Sequence, residues 1–279
     1  MDEQELTCRV SSPPSRLSAL AAAAALLLAT ASAATAKDCG DTVGGVRVAC
    51  ACGDIVVVDT VLWPTDPVAT ERCSGDGLTL LADPRAASLT LNLGGQSILG
   101  RGYGTGIRVA RGGRLGAVIV GGDEDDARAE IANFATGIRA SGRDALREVR
   151  SIDVHDCSAN GLSIHASGVA LDDVLSNGNG RDGVALSGHG NRITGVTSSA
   201  NARDGLKVHG SAGRIDAKTT DNRRNGAVIA GRDNRIEKMV TSGNGAAGVV
   251  APGKAAATDG VQATGNGGSD IKGRTEAGR

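Results

Sequence analysis

Six ionisable side chains recur at fixed offsets from a series of glycines: Arg139, His165, Asp182, Asp204, Lys207 and His209. Arg139 and Lys207 follow Gly137 and Gly205 by two positions, His165 and His209 follow Gly161 and Gly205 by four, and Asp182 and Asp204 immediately precede Gly183 and Gly205. Cationic donors beside carboxylates suit an acidic sugar polymer, whose own carboxylates pair with Arg and Lys. The plainer account is a solvated face on which Asp182 and Asp204 serve turns. The same two carboxylates, if one stacked strand apart at ~4.8 Å, would approach the separation of a retaining glycosidase pair. A lyase would need a base, Lys207 or Arg139, and a cation. The densest run of oxygen ligands is Gly122-Asp123-Glu124-Asp125-Asp126, where Asp123, Asp125 and Asp126 could contribute to a calcium site. An acidic run is ordinarily a solvated loop, so no cofactor is expected unless calcium binds there.

The elements that would carry these residues are read from internal repetition. Gly77, Gly106, Gly137, Gly161, Gly183, Gly205, Gly226 and Gly248 each precede alternating apolar residues, and their spacing settles to about 22. Segments such as Gly183-Val184-Ala185-Leu186 have strand periodicity. Four residues before each glycine runs a column of Asn133, Cys157, Asn179, Asn201, Asn222 and Asn244, which Asn266 continues. Further apolar columns hold Leu171, Ile193, Ile215 and Ile236, then Val174, Val196, Met239 and Val261. Each repeat thus offers about three short strands separated by turns, the content of one rung of a parallel β-helix. The expected fold is all-β: a single right-handed parallel β-helix solenoid of about 22 residues per rung with an Asn ladder. Asn suits that column because it tolerates left-handed turns and its amide stacks along the axis. Cys157, in the same column, is expected to be a buried thiol.

Composition agrees. The 279 residues include 42 glycines but only Trp63, Tyr103 and Phe134 as aromatics, which excludes the usual aromatic-centred core. With 40% apolar residues the chain has enough hydrophobe to fold. Arg9 and Arg16, an apolar run from Leu17 to Leu28 and the small residues Ala34-Thr35-Ala36 read as a signal peptide over 1–36. The remainder would carry equal numbers of acidic and basic side chains, so no nucleic-acid partner is expected, and no apolar run long enough to span a membrane follows. The expected location is secreted, extracellular or periplasmic. Export places Cys39, Cys50, Cys52 and Cys73 in an oxidising compartment, where they would form two disulfides in any of three pairings. The organisation expected is a disulfide-bonded cap and first rungs over 37–100, repeats over 101–268 and a polar tail over 269–279. No oligomeric state follows from the sequence.

The Asn-x-x-x-Gly-aliphatic-x-aliphatic pattern of residues 133–250 resembles the pectate-lyase-like, right-handed parallel β-helix proteins. Cys52-Gly53-Asp54, Cys73, Gly77-Leu78 and the stretch Leu91 to Gly100 are similar to the N-terminal part of secreted bacterial members. The resemblance implies pairing of Cys52 with Cys73, leaving Cys39 for Cys50. Gln96 stands where that family usually has His. Polygalacturonases of this fold carry Asp-Asp, Gly-His-Gly and Arg-Ile-Lys motifs. Asp172-Asp173, Gly188-His189-Gly190 and Arg235-Ile236-Glu237 match them only in letters, because they occupy the wrong columns. The function expected is therefore a secreted non-catalytic β-helix protein, structural or carbohydrate-binding, with an extracellular acidic polysaccharide as partner. The alternative is a polysaccharide lyase or glycoside hydrolase. Columns of Ser176, Ser198, Thr219 and Thr241 are read as turn-packing hydroxyls.

Overall fold

The computed structural model describes residues 37–81, 88–110, 116–122, 128–211, 213–252 and 260–273. The expected signal peptide and the run Asp123 to Asp126 lie outside the described residues. The rest winds into a parallel β-helix with two long sheets. One sheet has eleven strands and takes one from every turn, among them Thr136–Ser141, Leu162–His165, Val184–His189, Leu206–Ser211 and Ala227–Ala230. It extends to Ile271–Gly273, which pairs with Val249–Ala251, so the ladder continues into the segment expected as a polar tail. The other sheet has twelve strands, including Leu146–His155, Ala170–Asn177, Arg192–Ser199, Arg214–Thr220 and Arg235–Ser242.

Three short strands per rung are expected from the sequence, but in the middle rungs the second and third are one continuous strand. Ala117–Val120 and Ala129–Ala132 are still separate, and both pair with the ten-residue Leu146–His155. The bend is taken inside the strand by a left-handed residue: Ser151 (φ 53°), Asp173 (φ 52°) and Gly195 (φ 62°). One such residue turns the chain while the hydrogen-bonded ladder resumes on either side. In the shorter 21-residue repeat the register slips at this point: Ile193 faces Ile215 but Val196 faces Ala217.

Inside, aliphatic residues stack rung on rung. Ile107, Ile138, Leu162, Val184, Leu206, Ala227 and Val249 form one fully buried column across the eleven-stranded sheet. Phe134 is the single fully buried aromatic. Each column glycine is there for space. At Gly183 a Cβ would overlap the Ser198 hydroxyl and crowd the carbonyl oxygen of Gly205 on the next rung. Ser176 and Ser198 donate to the carbonyls of Gly183 and Gly205 at 2.8 Å each, which is the turn-packing role expected of those hydroxyls.

The Asn column is a hydrogen-bonded chain. The backbone N–H groups of Cys157, Asn179, Asn201, Asn222 and Asn244 each donate to the Oδ1 of the Asn on the next rung, at 2.9–3.2 Å. The amide Nδ2 of Asn179, Asn201, Asn222 and Asn244 donates to the same Oδ1 at 2.9–3.0 Å. The left-handed conformation expected of these residues sits instead one position earlier, at Asp156, Gly178, Ala200, Asp221 and Gly243. Asn133 alone in the column has positive φ, and its N–H donates to the His155 carbonyl, because Cys157 above it offers no amide oxygen. Cys157 is buried and unbonded to another cysteine, as expected, and burial pushes its thiol up to about 11.

The cap is closed by the disulfides Cys39–Cys50 and Cys52–Cys73, the pairing the family resemblance implied, with Cα separations of 5.0 and 5.4 Å. Between them Asp66 accepts both guanidinium nitrogens of Arg47 and the N–H groups of Trp63 and Cys50. Burial alone would raise the Asp66 carboxyl, but Arg47 and these N–H donors hold it below the ordinary carboxylate range. A two-strand hairpin, Thr42–Val43 with Val46–Arg47, turns at Gly44 and Gly45, both at positive φ as a tight two-residue hairpin turn requires.

Asn201→Ala is expected to lower unfolding free energy by about 2–3 kcal/mol, because it strands the Asn179 N–H in an apolar interior. Urea denaturation followed by circular dichroism would measure this against Lys218→Ala, an exposed control expected to stay within about 0.5 kcal/mol.

Candidate functional site

The outward face of the eleven-stranded sheet places the expected residues in register. Arg139 pairs with Ser163, Ser163 with Ala185, and Ala185 with Lys207, so these lie on four successive rungs. In the next outward column Ser141, His165, Ser187, His209 and Ala230 follow one another. Strand alternation puts both columns on the solvent side while Leu162, Val184 and Leu206 point inward.

A cleft of about 470 Å³ opens on this face. His165, Asp182, Lys207 and His209 line it, so four of the six expected residues meet there. Arg139 lies on the same face, exposed, but does not line the cleft. Asp204 does not line it either. Asp182 and Asp204 are only 6% and 5% exposed and form a second ladder running opposite to the Asn ladder. Asp182 accepts the Asp204 N–H at 3.3 Å, and Asp204 accepts the Asn225 N–H at 3.0 Å and its Nδ2 at 2.8 Å. Their positions immediately before the glycines make them turn-capping acceptors, so at least one oxygen of each is committed to the backbone of the next rung. The site therefore has less carboxylate and more cation than the sequence columns suggest.

Two residues missed from the sequence add to that balance. Arg181 and Arg203 line the cleft from the turn before each strand, and Arg224 continues their column. Backbone bonds from Arg203 N to Arg181 O and from Arg224 N to Arg203 O, each 3.1 Å, hold the three in stack. The signal was legible, since each arginine recurs at the repeat spacing just before the Asp182, Asp204 and Asn225 column. Among the described residues, no carboxylate lies within ion-pairing distance of Arg139, Arg181, Arg203, Arg224 or Lys207. Other cations are paired in part: Arg47 with Asp66, Arg108 with Asp76, Arg150 with Glu148, and both Arg214 and Arg235 with Glu237, whereas Arg192, Lys218 and Lys238 of the twelve-stranded sheet have no carboxylate partner among the described residues.

A second cleft, of about 540 Å³, adjoins the first and shares Ser187 and His209 with it. His189, Ser211, Arg232 and Asp233 line it above Gly188, Gly210 and Gly231. His189 lies within 2.8 Å of the Ser211 hydroxyl through Nδ1.

On the twelve-stranded sheet a separate charged cluster forms where the early repeats shorten. Ser97, Glu130 and Asp153 stack in register on successive rungs. His155 contacts Glu130 through Nε2 and Asp156 through Nδ1, both at 2.9 Å, and Ser97 donates to Glu130 at 2.8 Å. Burial raises the Asp153 carboxyl, and the Glu130 charge adds to this against the His155 and Arg128 contributions. Burial would lower His155, but its bond to Asp156 and the charges of Asp153, Asp156 and Glu130 outweigh that and raise it. Among the described residues, no group of three or more His, Cys, Asp or Glu side chains is arranged to hold a metal ion.

No protein-family model matches the chain, and no curated protein matches it. Among solved structures it is similar to the A-module of the mannuronan C-5 epimerase AlgE4 of Azotobacter vinelandii. That match has 15% identity and a TM-score of 0.44 and covers 79% of this chain and 64% of the module, so the chain spans less than two thirds of the module's length. The likeness is one of fold.

The raised His155 sets the sign of a pH effect on stability. A histidine whose folded pKa exceeds its unfolded value of about 6.5 stabilises fully below that value, and the contribution is lost as pH rises through the folded pKa. Wild type is therefore expected to lose stability on going from pH 6 to pH 8 relative to His155→Gln. Urea midpoints at the two pH values would check it; equal slopes for both proteins would contradict it.

Proposed function

We propose that the protein is a secreted, non-catalytic β-helix that binds an acidic polysaccharide through the cationic cleft of its eleven-stranded sheet. The observation that carries this reading is the convergence of Arg181, Arg203 and Lys207 on one cleft, none of them within ion-pairing distance of a carboxylate among the described residues. Unpaired guanidinium and ammonium groups held in a rigid array are preorganised for a polyanion, since no internal carboxylate must be displaced. The overall charge of −1 means that attraction is local to this face. Two disulfides agree with an oxidising compartment, and among the described residues no helix is long and apolar enough to cross a membrane.

A non-catalytic role is favoured because Asp182 and Asp204, the one pair suited to glycoside hydrolysis on this face, accept hydrogen bonds from the next rung. A lyase or hydrolase acting on the same polymer is the competing outcome of the test.

The protein would be titrated with polygalacturonate, alginate and a neutral glucan, with and without calcium, following binding by calorimetry and cleavage by absorbance of unsaturated ends and by new reducing ends. Binding of an acidic polymer without cleavage is expected, weakening steeply between 50 and 500 mM salt. Lys207→Ala and Arg203→Ala should each reduce affinity by about fivefold, corresponding to ~1 kcal/mol. New unsaturated or reducing ends that vanish in Lys207→Ala or Asp182→Asn would make the protein an enzyme, and no binding to any acidic polymer would remove the reading altogether.

A further inference from the structure

The two clefts on the eleven-stranded sheet differ in charge but are joined. Arg181, Arg203 and Lys207 face the first against Asp182 alone, whereas at the second Arg232 is matched in number by Asp233. Ser187 and His209 belong to both. These two residues sit late in strands Val184–His189 and Leu206–Ser211, after Ala185 and Lys207 and before the glycines of the second cleft. The joined groove therefore follows the strand direction. It begins at the arginine turn, passes Lys207 and His209, and ends at the corner occupied by His189 and Ser211. Six residues of strand cover about 20 Å at ~3.3 Å each, and the two volumes, about 470 and 540 Å³, each fall within the range of small-ligand sites.

The second cleft differs in surface as well as charge. Its floor is backbone, because Gly188, Gly210 and Gly231 stack so closely that a Cβ on any of them would overlap the carbonyl of the rung before. Gly188 and Gly231 also have positive φ, at 134° and 126°. Two imidazole rings stand beside this flat floor, with the Ser187 and Ser211 hydroxyls within the same cleft. A surface of glycine backbone and imidazole with a few hydroxyls suits the C–H face and hydroxyl rim of an uncharged sugar ring. It also supplies a stacking surface in a chain whose two exposed aromatics, Trp63 and Tyr103, lie in neither cleft.

Resting on the polysaccharide reading above, we propose that the ligand runs along the strands, parallel to the rungs, rather than following the helix axis, and that it is a glycan in which an acidic sugar adjoins an uncharged one. The acidic residue sits among Arg181, Arg203 and Lys207. The uncharged residue lies over the glycine floor, where His189 and Ser211 position it, and His209 stands at the junction.

The test uses three defined probes in calorimetric titrations: a hyaluronan tetrasaccharide, in which glucuronate alternates with N-acetylglucosamine, tetragalacturonate, and cellotetraose. The hyaluronan probe is expected to bind about tenfold more tightly than tetragalacturonate, with cellotetraose weakest. His189→Ala and Ser211→Ala, checked by unchanged melting temperature, should abolish that preference by weakening binding of the hyaluronan probe. Lys207→Ala should weaken both acidic probes. Equal affinity for the two acidic probes, still sensitive to Lys207→Ala, would overturn the mixed-glycan assignment and leave the polysaccharide reading standing. A preference that persists in both corner variants would overturn the assignment too, and failure of both acidic probes to bind would overturn both readings.

Discussion

Everything in this molecule depends on each rung satisfying the polar groups of the next. The rungs of a parallel β-helix have no antiparallel hairpins to close their strands locally, so each backbone N–H and C=O of a rung strand needs a partner contributed by a rung some 22 residues away. The strands meet this need over most of a turn, but the corners cannot, and there the side chains substitute. The Asn chain from Asn179 to Asn266 satisfies one corner by reaching down the axis, with Oδ1 accepting from the preceding rung. Asp182, Asp204 and Asn225 satisfy another by capping the following rung. A third, shorter set uses Asn191 and Asn234 to accept the N–H groups of Val169 and Gly213. Because every such bond joins neighbouring rungs, loss of one affects the stacking of all that follow.

The same constraint shapes the candidate site. Side chains needed at the corners are unavailable for ligands, which is why Asp182 and Asp204 are buried acceptors while the adjacent arginines point to solvent. Registered stacking then converts a weak sequence tendency, one Arg or Lys per repeat, into a dense cationic array at ~4.8 Å spacing. Like charges so placed repel one another, and around the cleft no carboxylate comes within ion-pairing distance of Arg181, Arg203 or Lys207 among the described residues. On the twelve-stranded sheet the stacked Arg214 and Arg235 share Glu237, while Arg192 in the same column has no carboxylate partner among the described residues. The polyanion is assigned to the eleven-stranded sheet because its cleft gathers three such cations against Asp182, whereas the cleft on the twelve-stranded sheet is lined by Glu148 and Asp172 with Arg192 alone.

How much of this was legible can be argued from particular residues. The aliphatic columns and the Asn ladder recur at one spacing, and a recurring inward position has only one use in a solenoid. The buried Cys157 followed from its place in the Asn column for the same reason. The reason given for Asn was incomplete: the left-handed residue is its predecessor, such as Ala200 or Asp221, and Asn is required for its amide. The continuous bent strands were hidden because one residue at positive φ, for example Asp173, reads like any polar turn residue in a linear sequence. Arg181 and Arg203 were overlooked although their spacing was regular, because the adjacent Asp column drew the assignment of chemistry.

The sequence by itself determined the architecture, since periodic apolar and Asn positions at about 22-residue spacing can bury their side chains and pair their backbones in one way only. It also determined which residues share a face, because strand alternation is strict. What the tertiary structure alone decided is which of those shared positions are free to act. Whether Asp204 faces a ligand or caps the next rung, whether a cation is paired, and whether two clefts join at His209 depend on the turns between strands. Those turns differ by single residues from rung to rung, and their geometry is set only when neighbouring rungs stack.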